Sequence, residues 1–155
     1  MKLSKNFDLN EFRKSITAIR NGIDNEPTKD HIRNIQLLVK FVLQPLRESL
    51  QKPIKITSGY RSENLNKFIK GSKKSQHCKG MASDIQIIVN GEMKNKEIWD
   101  AVLELDLPFD QMINEFDFSW IHISYNHEKN RKQLLEAYKE NGKTFYKYPK
   151  KEKSL

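Results

Sequence analysis

Apolar residues recur every three or four positions between Thr28 and Leu50, the spacing that places side chains on one face of a helix. They are Ile32, Ile35, Leu38, Val39, Val42, Leu46 and Leu50. Pro27 and Pro53 flank this segment. Pro45 lies inside it and can bend a helix, because proline lacks the backbone N–H that helical hydrogen bonding needs. We therefore predict one long helix packed on a core, with a kink near Pro45.

Strands are predicted where apolar and polar residues alternate, or where short apolar runs are bounded by turn residues. They cover Ile54 to Thr57, Asp84 to Val89, Gln111 to Phe116 and Trp120 to Tyr125. Further helices are predicted over Leu9 to Arg20, over Glu63 to Lys70, after Asn95 as an N-cap, and over Lys129 to Glu140. Helices come first and then mix with strands. We therefore expect one α+β domain over residues 1–155, with a small, mostly antiparallel sheet flanked by helices.

The charge of the chain favours an anionic polymer as partner. Lysine and arginine number 28 against 20 aspartates and glutamates, a net charge of +8, and the stretch Lys143 to Lys153 is expected to be a solvated basic end. Nucleic acid, anionic lipid and the murein of a cell wall would all suit this charge. No nucleic-acid partner is expected, because the sequence has neither a recognition helix nor an interleaved aromatic platform.

No apolar run approaches the roughly 18 residues of a membrane span, and the amino terminus does not resemble a signal peptide. We expect a monomer that is synthesised in the cytoplasm. If it acts on a cell wall, phage lysis machinery or a virion would have to carry it there.

Histidines and acidic residues are the candidates for metal binding, since the single cysteine, Cys78, excludes a four-cysteine zinc site. His77 lies in the loop SQHCKGMASD, seven positions before Asp84. His122 lies in the middle of the strand WIHIS, on the face opposite the two isoleucines. Two imidazoles and one carboxylate form the ligand set of a hydrolytic zinc site. From spacing alone, a hydrogen-bonded structural histidine and a capping aspartate are the more common explanations of such a pattern.

Several separated motifs resemble one known family. The run ITSGYRSENLNKFIKGSKKSQHCKGMASDIQI, followed by FDQMINEF and WIHISY, is similar to the zinc D-Ala-D-Ala carboxypeptidases and murein endopeptidases. That family includes phage endolysins and the D-Ala-D-Ala dipeptidases of vancomycin resistance. Its signature positions fall here on Ser58 to Ser62, on Ser75, His77, Gly80, Ala82 and Asp84, and on His122. The resemblance spans Phe7 to Tyr125 and implies a fold like that of the D-Ala-D-Ala peptidases.

The resemblance also implies roles for individual residues. It implies zinc as the cofactor, with His77, Asp84 and His122 as its ligands. Arg61 matches the arginine that binds substrate near the scissile carbonyl. Ser75 and Gln76, beside His77, are expected to help place the substrate, although serine and glutamine in loops are usually just solvated.

The catalytic base is the point at which the chain departs from the family. Many relatives carry an acidic residue three positions before the last histidine, where this chain has Ser119. We predict Glu115 as the base, with Asp117 as the alternative. His31 and His127 lie outside the motifs and are not expected to bind metal.

The implied activity is zinc-dependent hydrolysis of peptidoglycan stem peptides, by a D-Ala-D-Ala carboxypeptidase or an L-alanyl-D-glutamate-type endopeptidase. The alternative is a non-catalytic zinc-containing module that binds the cell wall, which the substitution at Ser119 keeps open.

Overall fold

Two short helices, not one, begin the chain. In the computed structural model, which describes residues 1–151, α1 (Leu9–Arg13) and α2 (Ile16–Arg20) replace the single helix predicted over Leu9 to Arg20. Lys14, in extended conformation, ends the first helix, and Ser15, also extended, caps the second by accepting a hydrogen bond from the backbone N–H of Ala18. A serine that can cap favours a new helix start over continuation.

The predicted long helix is confirmed as three consecutive segments. They are α3 (Lys29–Leu38), a π-helical turn (Val39–Leu43) and α4 (Gln44–Leu50). Pro45 lies in the first turn of α4, directly after the π turn. Proline cannot donate to the carbonyl four residues earlier, and a wider turn is one way in which a helix accommodates such a residue.

Six strands form one mixed sheet in the order β1-β2-β6-β5-β7-β8. Their bounds are β1 (Lys55–Ser58), β2 (Ala82–Gln86), β5 (Gln111–Glu115), β6 (Trp120–Ser124), β7 (Gln133–Glu140) and β8 (Lys143–Lys147). Strands β5 and β7 run parallel, whereas the other neighbours run antiparallel. The fold class α+β is therefore confirmed, and the sheet is mixed, because it contains the parallel pair β5 and β7.

The C-terminal hairpin overturns one prediction. The segment Lys129 to Glu140, predicted as a polar helix, contains strand β7. The segment Lys143 to Lys153, predicted as a solvated basic end, contains strand β8, whose residues are all exposed, and its residues 152–153 lie outside the described part of the chain. The run QLLEAYKE has high helix propensity, but pairing with β5 on one side and β8 on the other overrides it. Asn141-Gly142, both with positive φ, form the turn and were the available hairpin signal.

The middle of the chain contains short elements that connect the strands. Helix α5 (Glu63–Phe68) and a 3₁₀ helix (Gln76–Lys79) precede β2. The predicted strand over Asp84 to Val89 is interrupted, because Ile88–Val89 (β3) pairs with Glu92–Met93 (β4) in a separate hairpin around Asn90-Gly91.

Asn95 does not cap the next helix but begins it, as the first residue of α6 (Asn95–Glu104). Its buried side chain accepts a hydrogen bond from the N–H of Ile87 and donates to the carbonyls of Phe118 and Ser119. The amide therefore connects the end of β2 to the turn between β5 and β6. It makes more hydrogen bonds in this position than a helix cap would make.

One face of the sheet is covered by α3, α4 and α6, and the opposite face carries polar side chains. The covered face contributes the fully buried residues Ile85, Met112, Ile121 and Ile123 to the core. Alternation along each strand places the intervening residues on the other face, over which the candidate site lies. Among residues 1–151, every helix is too short or too polar to cross a bilayer.

Candidate metal centre

The central pair of strands brings two of the predicted ligands together. Strands β2 and β6 are antiparallel neighbours, and Asp84 is directly opposite His122. Directly opposed residues present their side chains on the same face of a sheet. Nδ1 of His122 consequently lies 3.1 Å from Oδ1 of Asp84.

The third predicted ligand, His77, comes from the 3₁₀ helix beside the sheet. Ser75 begins this helix by accepting a hydrogen bond from the N–H of His77. Gly80 ends it with φ of 72°, and a Cβ there would approach the carbonyl oxygen of His31 to 2.5 Å. Only glycine fits this close approach at positive φ. The resulting bend places the His77 ring 5.1 Å from that of His122, between ring centroids.

The hydrogen bonding of His77 selects the tautomer suited to a metal ligand. Its Nδ1 lies 2.7 Å from the carbonyl oxygen of Gly59, so Nδ1–H donates to that carbonyl. Its Nε2 then carries the lone pair, lies 3.3 Å from Oδ1 of Asp84 and is buried without a hydrogen-bond partner among residues 1–151. Burial lowers the pKa of His77, which favours the neutral ring.

These three residues fit a divalent cation. His77, Asp84 and His122 each offer one donor atom, and the donor atoms all lie within 4.8 Å of one another. Burial would raise the pKa of Asp84, but the two neighbouring histidines outweigh burial and hold the pKa well below its usual range. Asp84 is therefore ionised at neutral pH. A buried lone pair that lacks a donor, beside an ionised carboxylate, is an arrangement that a bound cation would satisfy.

Glu115 lies on the same face of the sheet, on strand β5, and is only 8% exposed. Burial raises its pKa from 4.5 to about 7, with the charge of Asp84 acting in the same direction and His122 opposing it. Asp117, the alternative base, is exposed and lies in the turn after β5. It does not line the groove that passes over the metal-ligand group. Of the two carboxylates, Glu115 is therefore the one that faces the metal-ligand group.

The raised pKa of Glu115 predicts a pH dependence of stability in the metal-free protein. The buried carboxyl favours its protonated form, so its contribution to stability is complete below pH 4.5 and is lost as pH rises to about 7. Relative to Glu115→Gln, the wild-type midpoint of thermal unfolding should fall across this interval. The comparison is made by circular dichroism in the presence of a chelator.

The glutamine variant retains His77. Because the pKa of His77 is lowered, its contribution to the free energy of unfolding changes with pH in the opposite direction. The difference between the two proteins therefore isolates Glu115. A difference that is constant with pH would contradict the prediction.

Arg61 reaches the site from the turn after β1. Its backbone N–H donates to the backbone carbonyl of His77, and Nη1 of its side chain donates to Oδ1 of Asn66. Its Nε is buried and has no hydrogen-bond partner among the described residues. Burial lowers the pKa of Arg61, opposed by the charge of Asp84, but arginine stays charged at any physiological pH. Arg61 therefore places a positive charge beside the metal-ligand group, and its Nε–H is not used in a hydrogen bond within the described residues.

A groove of about 620 Å³ passes over these residues. Besides the three candidate ligands, Arg61 and Glu115, its lining includes Lys70, Lys74, Ser75, Gln76, Trp120, Arg131, Thr144 and Tyr146. The sequence-predicted residues are thus all in or beside one groove, apart from Asp117.

Ser75 and Gln76 line the groove, although each already has a structural partner. The hydroxyl of Ser75 caps the 3₁₀ helix, and Nε2 of Gln76 donates to Oδ2 of Asp110. Arg131 binds the same buried carboxylate through Nε and Nη2. This connection between the His77 segment and the residues before β7 could not be predicted from the sequence, because no local pattern links Asp110 to Arg131.

The remaining histidines and the cysteine lie outside the metal-ligand group. His31 accepts a hydrogen bond from the N–H of Thr28 and contacts Tyr60. The side chain of His127 is half exposed, and Cys78 is a free, partly buried thiol.

Comparison with known families adds a finding to this geometry. A family model described as Peptidase M15 matches residues 5–124, which include the three candidate ligands, Arg61 and Glu115. The match ends before strands β7 and β8. No curated protein matches the chain.

Proposed function

Because this chain belongs to the peptidase M15 family, as its motifs predicted, we propose that it is a zinc-dependent peptidase that hydrolyses an amide bond in the stem peptides of bacterial peptidoglycan. One observation carries the proposal. His77, Asp84 and His122 converge on one groove, with an unpaired buried nitrogen of His77 among their donor atoms.

The donor set supports zinc rather than a harder cation. Two neutral imidazoles with one carboxylate match the ligands of hydrolytic zinc sites, which leave a further position open to solvent or substrate. Zinc held there would supply Lewis-acid chemistry for amide hydrolysis.

Glu115 and Arg61 would carry out the remaining steps. Glu115 would accept a proton from the attacking water and pass it to the leaving amine, a role favoured by a pKa near the working pH. The guanidinium of Arg61, which lines the groove, would donate to a carbonyl or carboxylate oxygen of the substrate and orient it. Both residues face the groove from opposite sides of the metal-ligand group, on β5 and on the turn after β1.

The rim of the groove supports an anionic peptide as substrate. Lys70, Lys74 and Arg131 are among the residues that line it. Stem peptides carry free carboxylates, which these cations would attract. A D-Ala-D-Ala carboxypeptidase and an L-alanyl-D-glutamate-type endopeptidase share the proposed chemistry and differ in the product that they release.

A non-catalytic wall-binding module of the same fold is the second candidate, and Ser119 favours it. The hydroxyl of Ser119 donates to the carbonyl of Phe116, so it contributes no proton acceptor to the groove. This candidate would keep the metal and bind murein without cleaving it.

The proposal is tested on the purified chain with murein and with synthetic stem peptides. We expect about one zinc per chain by elemental analysis, and release of new amines that a chelator abolishes and added zinc restores. Mass spectrometry of the products then distinguishes a released terminal D-alanine from an internal cut. Bound zinc with murein binding but without amine release would instead establish the wall-binding module.

A further inference from the structure

The C-terminal hairpin forms one wall of the groove. Leu135 from β7, and Thr144 and Tyr146 from β8, line it together with the metal-ligand group. The hairpin lies beyond residues 5–124, so the family match does not assign a role to any of its residues.

Strand register places Tyr146 in line with Glu115. Glu115 is opposite Ala137 across β5 and β7, and Ala137 is opposite Tyr146 across β7 and β8. The three residues therefore form one row across the sheet, with their side chains on the same face. Adjacent strands are ~4.8 Å apart, so two spacings, about 10 Å, separate the backbones of Glu115 and Tyr146. Because only the methyl group of Ala137 lies between them, the tyrosine side chain has room to extend toward Glu115.

Two observations support this direction for the Tyr146 side chain. Burial raises its pKa, and the negative charges of Glu115 and Asp84 raise it further, which indicates that the hydroxyl is within their field. The adjacent pair Tyr138 and Phe145 stack on each other at 5.8 Å between centroids, on the opposite face of the hairpin.

The hydroxyl of Tyr146 is also free to bind a ligand. It has no hydrogen-bond partner among residues 1–151, and the side chain is 55% exposed within the groove wall. A protonated phenol that faces a binding groove offers one hydrogen-bond donor and one acceptor.

We propose that Tyr146 contacts the bound stem peptide, with its hydroxyl donating a hydrogen bond to a backbone carbonyl on the Glu115 side of the scissile bond. This inference rests on the proposed peptidase function. Since Glu115 would deliver the proton to the leaving amine, the contact would hold the leaving half of the substrate. Arg61 would hold the other side, so that the amide is fixed at both ends.

The test compares Tyr146→Phe with Tyr138→Phe. Both variants lose one hydroxyl and keep the ring, but only the first removes a donor from the groove. We expect kcat/KM for a stem peptide to fall about five- to ten-fold in Tyr146→Phe, as for the loss of one hydrogen bond, and to stay at the wild-type value in Tyr138→Phe. Thermal unfolding should be the same for wild type and Tyr146→Phe.

A second measurement does not depend on turnover. In a Glu115→Gln background, binding of the same peptide is measured by calorimetry, and Tyr146→Phe should weaken it by a similar factor. A loss confined to kcat would place the contact in the transition state and still support the inference.

Failure of the Tyr146 contact and failure of the peptidase function would give different results. Wild-type kcat/KM and wild-type affinity in Tyr146→Phe would overturn the role of Tyr146 and leave the peptidase function standing. A zinc-loaded wild type that neither binds nor cleaves stem peptides would overturn both.

Discussion

Replacing Glu115 with glutamine is expected to lower kcat by about 10²–10⁴-fold while about one zinc per chain is retained, since general acid–base groups contribute this much. Glutamine keeps the shape of the side chain but cannot accept a proton at neutral pH. Glu115 is not among the three residues whose donor atoms converge, so its loss should not release the metal. Steady-state assays on a stem peptide, with elemental analysis of the same sample, provide both readouts.

Asp117→Asn is the matched control for this experiment. It makes the same chemical change two residues away, at an exposed side chain outside the groove. We expect wild-type turnover from it. Unimpaired turnover in Glu115→Gln together with a large loss in Asp117→Asn would transfer the base to Asp117.

Replacing His77 with alanine is expected to remove the metal and, with it, the activity. The variant loses a buried donor whose orientation is already set by the hydrogen bond between Nδ1–H and the Gly59 carbonyl. Mutating a residue that only supports a ligand typically weakens metal affinity by 10–100-fold, so losing a ligand should cost more than about 100-fold. Chelator competition and elemental analysis measure this change.

His127→Ala is the control, because that side chain is half exposed and outside the metal-ligand group. Asp84→Asn gives a second variant that leaves no cavity, since it removes the negative charge and replaces one carboxylate oxygen by an NH2 group of similar size. Metal-free wild type and variants should be compared by circular dichroism to confirm that they are folded. Full zinc occupancy in both His77→Ala and Asp84→Asn would rule out the proposed centre.

Several elements could be predicted from local sequence because their patterns are local. The apolar spacing from Thr28 to Leu50 predicted a long helix, and the alternation in WIHIS predicted a strand with His122 opposite its isoleucines. The motifs SGYRS and SxHxxGxAxD, together with the later WIHIS, identified the family and the residues of the candidate metal centre.

Local patterns gave wrong results where contacts distant in sequence determine the conformation. QLLEAYKE favours a helix in isolation, yet its backbone pairs with β5 and β8. Asn95 resembles a cap, yet its amide joins Ile87 to the turn near Ser119. In both cases, hydrogen bonds to distant segments outweigh the local conformational preference, which is only about a few tenths of a kcal/mol per residue.

By itself, the sequence determined the chemical identity of the candidate ligands, the family and the main helical and strand segments, because residue type and short-range spacing carry that information. Tertiary structure alone decided that Asp84 is opposite His122, that Glu115 rather than Asp117 faces them, and that Tyr146 lies in line with Glu115. Such relations depend on strand order and register, which are set by the packing of the whole sheet and have no counterpart in local sequence.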